Sequence, residues 1–137
     1  SVAPTSANGI DPADALGATN AGPMIAKAWI EFTSTGSAGE QSLTNSFNIT
    51  SITQSGTGIY DIVFGNGVTE TKFDLPSNNY MLIATGATIG DYQLFGRITS
   101  RDATGAGCTV KFGDNSNINT LQDPTVIATL VFFGLTA

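Results

Sequence analysis

The stretch Ser46-Phe47-Asn48-Ile49-Thr50-Ser51-Ile52-Thr53-Gln54-Ser55-Gly56-Thr57-Gly58-Ile59-Tyr60-Asp61-Ile62-Val63-Phe64 decides the fold class. Phe47, Ile49 and Ser51 alternate with Asn48, Thr50 and Ile52, and further on Tyr60, Ile62 and Phe64 alternate with their neighbours. A period of two places one set of side chains on each face of a strand. The intervening Ser55-Gly56-Thr57-Gly58 supplies a turn, so the two runs predict a β-hairpin.

The same texture of short β-branched and aromatic runs between Gly, Ser, Asn and Asp clusters extends to both sides. It predicts strands at about Ala26 to Phe32, Phe47 to Thr53, Gly58 to Phe64, Thr69 to Asp74, Tyr80 to Thr85, Tyr92 to Arg101, Cys108 to Phe112 and Thr125 to Phe133. In the fourth, Glu70, Lys72 and Asp74 share one face and Thr71, Phe73 and Leu75 the other, a solvated surface over a buried one. In the last, Val126, Ala128, Leu130 and Phe132 alternate with Ile127, Thr129, Val131 and Phe133, so almost no position is polar. Both faces of that strand are expected to be covered, one by the core and the other by a second sheet or another subunit. The expected fold is all-β, a single antiparallel β-sandwich of jelly-roll type with about eight strands, spanning residues 26–137.

Residues 1–25 are rich in Ala, Gly, Pro, Ser, Thr and Asn and follow the period of neither strand nor helix, which predicts an extended N-terminal arm or anchor. Within it Asp11 can cap a short helical turn, with Pro12 at the first helical position and Gly17 at the stop. Pro4, Asp11, Pro12 and Pro23 are the candidates for anchoring to a larger particle. Ser1 is a residue of the kind left when an initiator methionine is removed, and the reading is a complete chain, the alternative being a fragment of a longer fibre.

A chain of 137 residues fits one domain. Eleven acidic residues against five basic ones give a net charge of −6, which repels nucleic acid and anionic membrane surfaces. No apolar run reaches the ~20 residues of a membrane helix, and membrane insertion is not expected. Cys108 is the single cysteine, expected as a buried, inert thiol at the start of a strand.

The chain contains no histidine, which removes Ser-His-Asp, Cys-His and histidine-metal chemistry. The carboxylates, among them Glu31, Glu40, Asp61, Asp91, Asp102 and Asp123, are spread singly and read as surface solvation rather than a glycosidase pair. Asp114-Asn115-Ser116-Asn117-Ile118-Asn119 has oxygens enough for calcium but lacks the Gly and terminal Glu of an EF-hand loop, and reads as a self-capping polar loop. No catalytic residue, metal site or cofactor is expected. Trp29 shares a strand face with Lys27 and Glu31, opposite Ala26, Ala28, Ile30 and Phe32; it reads as packing at a subunit contact or under a loop, with a sugar platform as the alternative. Trp29, Phe64, Val131, Phe132 and Phe133 are the packing or subunit-contact candidates, and truncation of Trp29 or Phe64 is expected to cost stability as a core deletion does. Tyr92, Gln93 and Arg97 could face a ligand.

Several of these segments resemble a known family. Lys27-Ala28-Trp29, Phe47-Asn48-Ile49-Thr50-Ser51-Ile52-Thr53, Gly56-Thr57-Gly58, Tyr60-Asp61-Ile62-Val63-Phe64 and Asn79-Tyr80 are similar to the trimeric β-domain at the C-terminal end of many tailed-phage tail fibres. The likeness runs from Ala26 to about Ala84, less than half of the chain, and returns in Val131-Phe132-Phe133-Gly134. It implies a non-enzymatic protein on the exterior of a bacteriophage virion, a homotrimer in which each β-domain covers its neighbour. The expected role is a capsid decoration or cement protein in contact with the major capsid protein. The alternative is a tail-fibre tip, an adhesin that contacts tail proteins and binds a host-surface glycan or protein. An arm of 25 residues, about 85 Å when stretched, with no repetitive shaft, favours decoration.

Overall fold

The computed structural model describes residues 26–65, 80–90, 92–103, 105–114 and 120–134. They form β1 (Ala26–Phe32), β2 (Gly39–Glu40), β3 (Leu43–Phe47), β4 (Ile49–Gly56), β5 (Ile59–Phe64), β6 (Tyr80–Ala87), β7 (Gln93–Arg101), β8 (Gly107–Asp114) and β9 (Ile127–Gly134). Every pairing is antiparallel. The strands join in one nine-stranded sheet of order β2-β4-β5-β8-β7-β6-β9-β1-β3, so the all-β antiparallel expectation holds. The expected division into two separately hydrogen-bonded sheets does not, because β7 carries the ladder unbroken from β8 to β6.

The sheet curls, and side chains from its two halves meet inside. Phe64 in β5 and Phe132 in β9 are separated by three intervening strands, yet their ring centroids lie 4.9 Å apart. Phe32, Tyr60 and Phe112 stack edge to face at 5.2 and 5.8 Å, and Phe64 meets Tyr80 in the same way at 5.6 Å. Around these rings pack Ala28 and Ile30 from β1, Ile49 and Ile52 from β4, Val110 from β8 and Leu130 from β9. Gly96 in β7 allows a close approach of its neighbours; a Cβ there would lie 2.6 Å from that of Ala84 and 3.1 Å from the Phe112 ring.

The expected strand from Phe47 to Thr53 is broken. β3 pairs with β1 at one edge of the sheet, whereas β4 pairs with β5 near the opposite edge, and only Asn48 separates them in the chain. Asn48 has φ 61°, a left-handed conformation that asparagine tolerates better than most residues. Its Nδ2 donates to the Lys27 carbonyl at 3.0 Å, and its own carbonyl accepts from Gly65 N at 2.8 Å. One residue thus ties β1 to the end of β5 across the seam of the curled sheet. With this reversal and a register irregularity between Ile49 and Ser51, the expected common face of Phe47, Ile49 and Ser51 is lost. Phe47 is exposed, Ile49 is buried, and Ile52 and Gln54 turn inward.

The return strand keeps its alternation, with Tyr60, Ile62 and Phe64 all buried, and the reversal occurs at Thr57-Gly58 with Gly58 at φ 67°. β1 also buries Ala28, Ile30 and Phe32 as expected, but Ala26 is exposed beyond an irregularity in its pairing with β9. β2 and β3 were not predicted; the first has only two residues, and Leu43-Thr44-Asn45-Ser46 carries too few apolar side chains to show a period. The expected strand from Thr69 to Asp74, the arm of residues 1–25 with Pro4, Asp11, Pro12 and Pro23, and Asn115 to Asn119 lie outside the described residues.

Candidate functional site

At one end of the curled sheet a polar cluster closes the core. Asp123 Oδ1 accepts from Tyr60 Oη at 2.8 Å, Gln54 Nε2 at 2.9 Å and Gly58 N at 2.6 Å. Ser34 Oγ lies 2.7 Å from Tyr60 Oη and 3.2 Å from Gln54 Oε1, and it accepts from Gly36 N at 3.1 Å. Burial and the carboxylate acceptor raise the Tyr60 phenol above its ordinary range, so it stays a donor at neutral pH. Asp123 was expected as a solvating charge and is instead the acceptor that fixes a hairpin turn and the loop before β9. Asp123 Oδ1 thus gathers three donors from β4, β5 and the turn between them.

At the other end, Cys108 is buried in β8 as expected, and burial pushes its thiol up to about 12. A thiol held protonated is a poor nucleophile. The Arg101 guanidinium lies 5.1 Å from the centroid of the Tyr80 ring and donates to the Tyr80 carbonyl at 3.2 Å. Thr109 Oγ1 donates to Asp61 Oδ1 at 2.6 Å. Asp114 is buried and accepts from Gln122 Nε2 at 2.5 Å. Among the described residues there is no group of three His, Cys, Asp or Glu side chains placed to hold a metal ion.

The outer face of the sheet is the unusual surface. Ile83 in β6 stands opposite Val131 in β9, Val131 opposite Trp29 in β1, and Trp29 opposite Phe47 in β3. This makes an unbroken apolar row across four strands. A second row, Met81 opposite Phe133 opposite Ala26, runs beside it. Ile83, Met81 and Phe47 are 59 %, 62 % and 55 % exposed, and Trp29 is 38 % exposed. An antiparallel sheet with one face in water ordinarily presents polar side chains there. Lys27 and Glu31 bracket Trp29 on the same face, one charge of each sign.

The packing candidates therefore divide. Phe64 and Phe132 belong to the core, while Trp29, Val131 and Phe133 lie on the outer face. Trp29 lies, as expected, on the face opposite Ala28, Ile30 and Phe32, but the expectation that its truncation costs stability as a core deletion does is corrected, because β1 turns that side chain outward. Phe47, Met81 and Ile83 were missed; only the cross-strand register reveals that they continue the row. Gln93 and Arg97 both lie on the outer face of β7, but four residues separate them by about 13 Å along the strand, and Tyr92 precedes it, so the three do not converge on one point. Between Gln93 and Arg97 stands Phe95, 52 % exposed and also missed. Comparison of the chain with family models, curated proteins and solved structures gave no match.

Proposed function

We propose that this protein is a non-enzymatic structural component of a bacteriophage virion surface that works by contact between copies of itself and with neighbouring virion proteins. The observation that carries the reading is the apolar row Ile83, Val131, Trp29 and Phe47, which spans four strands on a face with no described element over it. Covering such a face with protein removes apolar area from water, the main favourable term in association. Lys27 and Glu31 at its rim let copies meet without obligatory like-charge contact. The likeness to the tail-fibre β-domain supplies the homotrimer and the virion setting. Capsid decoration is the first role, since a broad apolar face suits a permanent neighbour.

The second role, a fibre tip that binds a host-surface receptor, is favoured by one other feature, the concavity that Phe95, Arg97 and Lys111 line on the outer face of β7 and β8. Copy number in purified particles separates the two, with hundreds of copies expected for decoration and tens or fewer for a fibre. The isolated protein should scatter light as three times 14.1 kDa at micromolar concentration. A mass of 14.1 kDa under those conditions would remove the trimer from the reading.

A further inference from the structure

Arg97 in β7 and Lys111 in β8 stand directly opposite one another in the antiparallel register, both on the outer face. Like charges at such a position repel and weaken the pair of strands. The protein has only five basic residues and a net charge of −6, so placing two of them side by side calls for a compensating partner. Among the described residues neither makes an ion pair. They line a concavity of about 340 Å³ together with Phe95, Gly113, Asp114 and Leu121. Gly113 is opposite Phe95 and, having no side chain, leaves room beside the exposed ring. Leu121, bridged to Gly113, closes one end. Asp114, the carboxylate in the lining, is buried and engaged by Gln122.

We infer that this concavity binds a carboxylated saccharide, with the sugar carboxylate between Arg97 and Lys111 and an apolar ring face against Phe95. Two cations on adjacent strands match one anionic group, and a flat exposed aromatic ring matches the C–H face of a pyranose. The backbone argues against an extended acidic peptide, because β7 is paired to β6 and β8, and β8 to β5 and β7, leaving no free edge for an added strand. Net charge argues against a long polyanion such as nucleic acid. The inference stands on this geometry alone and does not depend on the virion reading or on how copies meet through β1, β6 and β9.

The test is a titration of the full chain, followed by backbone amide shifts, with trigalacturonate and sialyllactose. The same experiment is run with cellotriose, methyl-esterified trigalacturonate, inorganic phosphate and hexaglutamate. Saturable shifts at β7 and β8 are expected with the carboxylated sugars at millimolar concentration, at least about tenfold weaker with the neutral ones and with phosphate. Arg97→Gln with Lys111→Gln should weaken carboxylated-sugar binding at least about tenfold, and Phe95→Ala should weaken all sugars. Because the substitutions relieve repulsion between the exposed Arg97 and the half-buried Lys111, each glutamine variant should melt no lower than the parent. No saturation by either carboxylated sugar at about 20 mM would overturn the inference, as would equal binding of the methyl ester. Equal binding of phosphate would make the patch a general anion site, and tighter binding of hexaglutamate would make it a peptide site; either outcome overturns it too.

Discussion

Burial decides what three side chains of this protein do at alkaline pH. Cys108, Tyr60 and Tyr80 are each desolvated, which holds the thiol up to about 12 and both phenols above their ordinary range. In the unfolded chain the same groups ionise near their ordinary values of 9.0 and 10.0. Between those values and the folded ones the unfolded state has released protons that the native state retains. Stability from these groups is therefore complete below about pH 9 and is lost as pH rises, by about 1.4 kcal/mol per pH unit for each group once its unfolded form has ionised. The urea midpoint should be flat in this respect from pH 7 to about 8.5 and fall steeply above pH 10. Cys108→Ala should delay the onset of that fall from about pH 9 to about pH 10. A midpoint that stayed level through pH 10.5 would show that these side chains reach solvent in the native state.

Among the strands, what the sequence made legible was the alternation within each run, and what it hid was how runs meet. Tyr60, Ile62 and Phe64 were readable as one face because nothing interrupts the period of two. The run from Phe47 to Thr53 was not, because Asn48 looks like an ordinary polar member of an alternating strand until its left-handed φ is seen. Two consequences of the seam, the exposure of Phe47 and the joining of opposite sheet edges, were invisible for the same reason. The outer-face row is legible only in part: Trp29 and Val131 were picked out by local pattern, whereas Ile83 depends on a pairing over nearly fifty residues of chain. Asn48 offers a direct check on the seam. Replacement by alanine removes the hydrogen bond to Lys27 and leaves a Cβ-bearing residue without a compensating local contact at φ 61°, a combined loss of about 2 kcal/mol. Asn48→Gly loses the bond but accepts the dihedral, and should cost measurably less, about half as much, in urea unfolding. Equal losses would mean that the backbone conformation there carries no strain.

For the whole molecule the decisive contrast is between the two faces of one curled sheet. The inner face is a sealed aromatic core, in which Phe64→Ala should cost about 3–5 kcal/mol and act on the isolated chain. The outer face carries side chains of similar size that contribute little to folding while they remain in water. Substitutions there should separate assembly from stability. Ile83, 59 % exposed at the centre of β6, is the most informative position, since a glutamate there is solvated in the free chain and buried without a partner in any assembly that covers the row. Ile83→Glu should leave the melting temperature of the dilute protein within a few degrees of the parent and weaken self-association at least about a hundredfold, because an unpaired buried charge costs several kcal/mol. Trp29→Ala should act in the same direction more weakly, and sulfate should strengthen association of the parent, as it does where apolar burial drives contact. Sedimentation of parent and variants over a range of concentration reads all three. If Ile83→Glu associated like the parent, copies would have to meet elsewhere, and the apolar row would be left to a different partner.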